Sequence, residues 1–135
     1  MSFARITDQP ISEFSLHTSV MSPDCGALVV FHGVVRNHDD DRGVLALEYH
    51  AHPDAERFLA ECVGAEEQRT GLSLAAVHRI GQLKVGEVAL IAAAASAHRG
   101  EAFAAVEQLV DRIKHEVPIW KRQEFSDGLS EWVGV

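Results

Sequence analysis

A chain of 135 residues, 47% of them hydrophobic, suits one compact domain over 1–135 with a real core and is too short for two ordinary ones. Its net charge of −8 and pI near 5.4 argue against wrapping nucleic acid or docking on an anionic membrane, since both favour a basic face. They leave room for a small anionic ligand in a local basic pocket. The N-terminus has no basic stretch followed by an apolar run, and no run of about 18 apolar residues occurs anywhere, so a soluble cytoplasmic protein is expected.

In chain order, Phe3 to Thr7 reads as a short strand ended by Asp8-Gln9-Pro10, and Ser12 as the N-cap of a short helix through about Val20. Ser22-Pro23-Asp24 is a turn. Gly26 to Val35 is a continuous apolar, β-branched run typical of a buried strand, in which Gly33 marks a bulge or a close backbone approach. The polar segment from Arg36 to Gly43 reads as a mobile loop of solvated acids, leading into an alternating strand from Val44 to His50. Pro53 opens a helix through about Arg69, with Ala55, Phe58, Leu59, Cys62 and Val63 on the buried face and Gly71 at its end. Cys62 is read there as a buried reduced thiol, since neither it nor Cys25 belongs to a metal-ligand pattern.

Leu74 to Ile80 and Val88 to Ser96 read as two further strands separated by a connection from Gly81 to Gly86. The alanine run at 92–95 has helical propensity, yet it continues a glycine-bounded β-type run and is assigned to the strand. A helix follows from about Gly100 to Glu116, with Phe103, Val106, Leu109, Val110, Ile113 and Val117 on one stripe; Pro118 stops it, because the residue before a proline is pushed out of the α region. Ile119 to Phe125, a turn at Ser126-Asp127-Gly128, and Leu129 to Val133 form a final hairpin. The order β-α-β-β-α-β-β-α-β-β predicts an α+β domain, helices packed on a mostly antiparallel sheet whose open edges invite dimerisation.

Chemistry concentrates between His98 and Arg122, which holds five Lys/Arg against four Asp/Glu, whereas the rest of the chain holds seven against sixteen. Two of the three lysines, Lys114 and Lys121, lie there. Lys114 follows Phe103 by eleven residues, about 20° away on the helical wheel, so it borders the apolar stripe. It either snorkels and pairs with Asp111 or reaches past the stripe into a cleft. His98 and Arg99 precede the helix, where unpaired N–H groups favour an anion. If the segment after Pro118 folds back, Lys121 and Arg122 join them. His50 and His52 have no third ligand spaced with them, so no metal is assigned, and no nucleophile elbow, phosphate loop or dinucleotide fingerprint occurs. What remains is a set of cationic donors, Arg36, His98, Arg99, Lys114, Lys121 and Arg122, suited to a phosphate or pterin-like anion.

With these residues in view the chain resembles the large, catalytic subunit of molybdopterin synthase. The likeness runs through Gly26-Ala27 and Phe31 to Asn37, Leu47-Glu48-Tyr49-His50, His78-Arg79-Ile80-Gly81 with Gly86-Glu87, Ser96 to Arg99, Ala102-Phe103, Lys114, Pro118 to Arg122, Asp127-Gly128 and Trp132-Val133. The resemblance implies an α/β hammerhead-like fold with additional antiparallel strands and a dimer of large subunits. It also implies a small ubiquitin-like subunit at each end, whose thiocarboxylated C-terminal glycine delivers sulfur to cyclic pyranopterin monophosphate and makes the dithiolene of molybdopterin. No cofactor is implied. By motif, Val34, Val35 and Arg36 border the substrate, His98 and Arg99 bind its anionic groups, Lys114 and Lys121 are the active-site lysines, and Arg122 and Gln123 complete the segment. Where the family pattern has glutamate after the basic residue, this chain has Gln123, with Glu124 one place later; either serves. A non-catalytic module that binds a protein C-terminal tail or an anionic metabolite is the alternative.

Overall fold

The computed structural model describes residues 3–134. Its elements run β1 (Phe3–Thr7), α1 (Phe14–Val20), β2 (Ala27–Val34), β3 (His38–Asp39), β4 (Arg42–Ala51), α2 (Ala55–Thr70), β5 (Ser73–Arg79), β6 (Gly81–Lys84), β7 (Val88–Ser96), α3 (Arg99–Glu116), β8 (Ile119–Phe125) and β9 (Ser130–Gly134). Four strands form one sheet in the order β1-β5-β7-β2. Only β1 and β5 are parallel in it. In the second, antiparallel sheet β4 lies between β6 and β8, β9 extends β8, and β3 pairs with the start of β4. No described helix is long and apolar enough to cross a membrane.

The first sheet is buried on both faces, which is why β5 and β7 read as continuous apolar runs. Leu74, Ala76, Leu90, Ala92 and Ala94 face α2 and α3, while Ala75, Val77, Ile91, Ala93 and Ala95 face Leu16 and Val20 of α1. Residues 92–95 are strand despite alanine's helical propensity. Each alanine is paired on both sides, to β2 and β5, and at most 1% exposed. On the α3 side, the small side chains of Ala92 and Ala94 let Ala102 and Ala105 of α3 settle close above the sheet. That close approach centres the buried face of α3 on Ala102, Ala105, Val106, Leu109 and Ile113, and leaves Phe103, expected in the stripe, 60% exposed at its border.

Three further expectations change. Helix α1 starts at Phe14 with Glu13 at its cap, so Ser12 does not cap it, and Phe14 is exposed. The segment 36–43 contains a tight hairpin: His38 and Asp39 pair with Gly43 and Arg42 around Asp40 and Asp41, both at positive φ (48° and 64°). Such a turn follows the twist of the strands it joins, and Asp tolerates the left-handed region better than most residues. The connection 81–86 supplies β6, because Gly81 at φ 91° turns the chain out of the first sheet and onto β4 of the second. Phe58 is only partly buried, whereas Cys62 is 2% exposed with its thiol pushed up to about 11, chiefly by burial. His50 bonds Glu48, and His52 Nδ1 accepts the Asp54 N–H ahead of α2.

Candidate active site

The two sheets meet where β2 leaves the first and β4 and β8 cross beneath the C-terminal end of α3. The pairing of β2 with β7 shifts between Gly33 and Val34, and a Cβ on Gly33 would lie 3.4 Å from that of Leu90. The bulge re-aims the strand end, as bulges do. Val35 is then held from both sides, its N–H donating to the Glu87 carbonyl and its own carbonyl accepting from Gly86. It is 3% exposed, while Val34 and Arg36 on either side of it are exposed at the rim. Helix α3 ends at Val117, extended (φ −86°, ψ 125°) as a residue before proline must be. The chain reverses into β8, which brings Lys121 back beside Lys114.

These elements enclose a cleft of about 240 Å³. Leu47, Leu90 and Ile113 supply apolar walls, and Arg36, Lys114 and Lys121 supply the cations. Lys114 lines the cleft instead of folding back along the helix onto Asp111, whose carbonyl accepts from His115. Lys121 is half-buried opposite Tyr49 on β4. Its pKa is lowered by burial first, then by the Lys114 and Arg36 charges, with Asp39 opposing. An amine so placed gives up a proton more readily than a surface lysine.

Alternation along β8 sorts the remaining candidates. Gln123 shares the face of Lys121, is 3% exposed, and donates from Nε2 to Asp39 Oδ2 at 2.7 Å. That bond is the main reason the Asp39 carboxyl titrates below its usual range. Arg36 lies 3.8 Å from the same carboxylate. Of the two candidates for the glutamate position, Gln123 is thus the one in the cleft. Arg122 and Glu124 point to the opposite face, where Arg122 lies 3.6 Å from Glu48 and over the Trp132 ring. His98 and Arg99 sit exposed at the other end of α3, about 22 Å from Lys114 at roughly 1.5 Å rise per residue. The fold brings Val34, Val35, Arg36, Lys114, Lys121 and Gln123 together, and leaves Arg122, His98 and Arg99 outside this cleft.

The cleft also holds groups to which the sequence assigned no role: His38, Tyr49 and His78, the last two within motifs of the resemblance, with Asp39 beneath Gln123. The pattern offered one signal for them, since residues of one parity on paired strands share a face. Finding them required the pairing of Tyr49 with Lys121 and of Leu47 with Gln123.

Comparison with known proteins agrees with the geometry. The MoaE protein family model matches residues 6–116. The molybdopterin synthase catalytic subunit 1 of Mycobacterium tuberculosis is 40% identical over 134 residues, covering 98% of this chain and 90% of that protein. The crystal structure of molybdopterin synthase from Staphylococcus aureus superposes with a TM-score of 0.89 at 36% identity, covering 98% of this chain and 97% of that one. A complex of subunits 1 and 2 of molybdopterin-converting factor from Helicobacter pylori shares the fold at 18% identity (TM-score 0.71, 97% and 88% covered). A family match over most of the residues, and a relative this similar from end to end, place the chain in the MoaE protein family.

Proposed function

We propose that this protein is the catalytic subunit of a cytoplasmic molybdopterin synthase, its whole length acting as one domain. It transfers sulfur to cyclic pyranopterin monophosphate from the thiocarboxylated C-terminal glycine of a small ubiquitin-like subunit. The observation that carries this reading is the convergence of Arg36, Lys114 and Lys121, from three separate elements, on one apolar-walled cleft. The catalytic-subunit name of its relatives supports a further subunit, in this reading a small one whose tail enters that cleft.

Within this reading, Arg36 at the rim offsets the substrate phosphate, and Val34 and Val35 fix the position of that rim. Lys114 is the principal catalytic residue, at the helix end where the thiocarboxylate and the substrate carbon meet, and its ammonium stabilises charge that develops during attack. Lys121, with its lowered pKa, is the better placed of the two to hold or release a proton. Gln123 keeps Asp39 in place and so sets the field around Lys121. His98 and Arg99 act on substrate only in the cleft of a second copy, which the dimer expected of the family supplies. Arg122 supports the sheet from its outer face.

Reconstitution tests the proposal. Purified chain, thiocarboxylated small subunit and cyclic pyranopterin monophosphate form molybdopterin together, whereas omission of the chain gives none. A chain that binds the small subunit firmly and yields no product is the non-catalytic module instead.

A further inference from the structure

His78 stands at the floor of the cleft, and none of the roles above uses it. It belongs to β5 and faces α3, in line with Leu74 and Ala76, and it is 4% exposed. Its Nδ1 lies 2.8 Å from the carbonyl oxygen of Arg79. A carbonyl only accepts, so Nδ1 carries the proton and donates it. The ring is also set edge-on to Tyr49, with centroids 5.1 Å apart and planes at 73°. Tautomer and orientation are therefore both fixed.

The other nitrogen, Nε2, has a lone pair and no protein partner among the described residues. The buried side-chain polar atoms left without a partner there are Arg79 Nε and Arg122 Nε. Nε2 is not one of them, so it is not sealed off, and His78 lines the cleft. Burial, with the Lys114 charge adding to it, pushes the imidazole down to about 4 and keeps it neutral at physiological pH. Every cation of the cleft is a pure donor, and the Gln123 amide N–H is already committed to Asp39. Cationic donors recognise anionic groups but not an N–H, which falls to the acceptors of the lining. Beside the Gln123 amide oxygen, the Tyr49 hydroxyl and His38, the His78 ring is the one whose accepting nitrogen is fixed by a backbone bond at its other nitrogen.

We propose that His78 is a specificity-determining residue, whose Nε2 accepts a hydrogen bond from an N–H of the substrate's pterin ring while the cations hold its phosphate. The inference rests on the synthase reading and deepens it. Buried polar groups of this kind discriminate strongly, because a ligand that lacks the donor leaves the acceptor unpaired.

Two replacements separate this role from a structural one. In His78→Asn the side-chain amide keeps the donor to the Arg79 carbonyl and loses the acceptor, whereas in His78→Gln the amide oxygen reaches the place of Nε2. In the assembled complex with thiocarboxylated small subunit, His78→Asn is expected to raise KM for cyclic pyranopterin monophosphate about tenfold with kcat within about twofold, and His78→Gln to stay within about threefold of the unmodified chain. The reverse ranking, or equal KM for all three, overturns the inference while the synthase reading stands. An unmodified complex that does not turn over overturns both. Should either variant fail to fold, nitrogen NMR of the unmodified protein decides: the Nε2 resonance of His78 moves upfield when the substrate is added, and a resonance that stays in place overturns the inference.

Discussion

At the scale of single residues, burial and neighbouring charge set the behaviour of the cleft, and both are testable without substrate. Unfolded, His78 titrates near 6.5; folded, it titrates near 4. Between these values the unfolded chain binds more protons, so the stability that His78 contributes is complete above about pH 6.5 and is lost as pH falls toward 4. The full window is worth about 3 kcal/mol. Denaturant titrations of the unmodified chain and of His78→Gln between about pH 4 and 7 read the difference, the variant showing the shallower dependence on pH. Identical slopes would mean that His78 titrates normally. Lys121 responds to its neighbours in two directions. Removing the Asp39 charge (Asp39→Asn) lowers the Lys121 pKa further, and removing the Lys114 charge (Lys114→Met) raises it. Carbon NMR of the lysine side chains reads both, and a shift of the same sign in the two variants would contradict the arrangement.

At the scale of elements, much of the site was legible because it rests on periodicity and on one proline. The apolar stripe of α3, its stop at Pro118 and the return strand β8 together bring Lys114 back to Lys121, and each has a sequence signature. Alternation along β8 already separates Lys121 and Gln123 from Arg122 and Glu124; proximity in sequence groups all four, and the strand divides them. Phe103 misleads for another reason. The wheel locates an apolar stripe, but only the close approach allowed by the β7 alanines shows where its buried centre lies. The place of His78, Tyr49 and Asp39 at the cleft was not legible, although the first two stand in motifs of the resemblance, because each joins the cleft through contacts between strands distant in sequence. The hairpin at 38–43 was hidden by its chemistry, since Asp40-Asp41 is not the usual Asn-Gly of a turn with two positive φ angles. The double substitution Asp40→Asn with Asp41→Gly relieves left-handed strain and stabilises the fold by about 1 kcal/mol. A raised melting temperature with unchanged binding of substrate is the expected outcome; a fall would contradict the turn.

At the scale of the whole molecule, the fold divides its cations. Arg36, Lys114 and Lys121 share a cleft, while His98 and Arg99 lie a helix-length away; in the proposed function these two meet the substrate across a two-fold assembly. Mixing settles this: Lys114→Ala and Arg99→Ala chains, each deficient alone, regain about a quarter of full activity when refolded together, because half the dimers are mixed and each mixed dimer holds one intact cleft. No recovery would contradict a cleft shared between two chains. The central claim is that the cleft at the seam of the two sheets carries the sulfur transfer, and the three lysines test it most directly. Lys84, the third, pairs with β4 from β6 and does not line the cleft. The decisive measurement is molybdopterin formation from cyclic pyranopterin monophosphate and thiocarboxylated small subunit by Lys114→Ala, Lys121→Ala and Lys84→Ala chains. The account predicts losses of at least about a hundredfold for the first two and full activity for the third. Full activity in Lys114→Ala, in a complex that assembles normally, would contradict it.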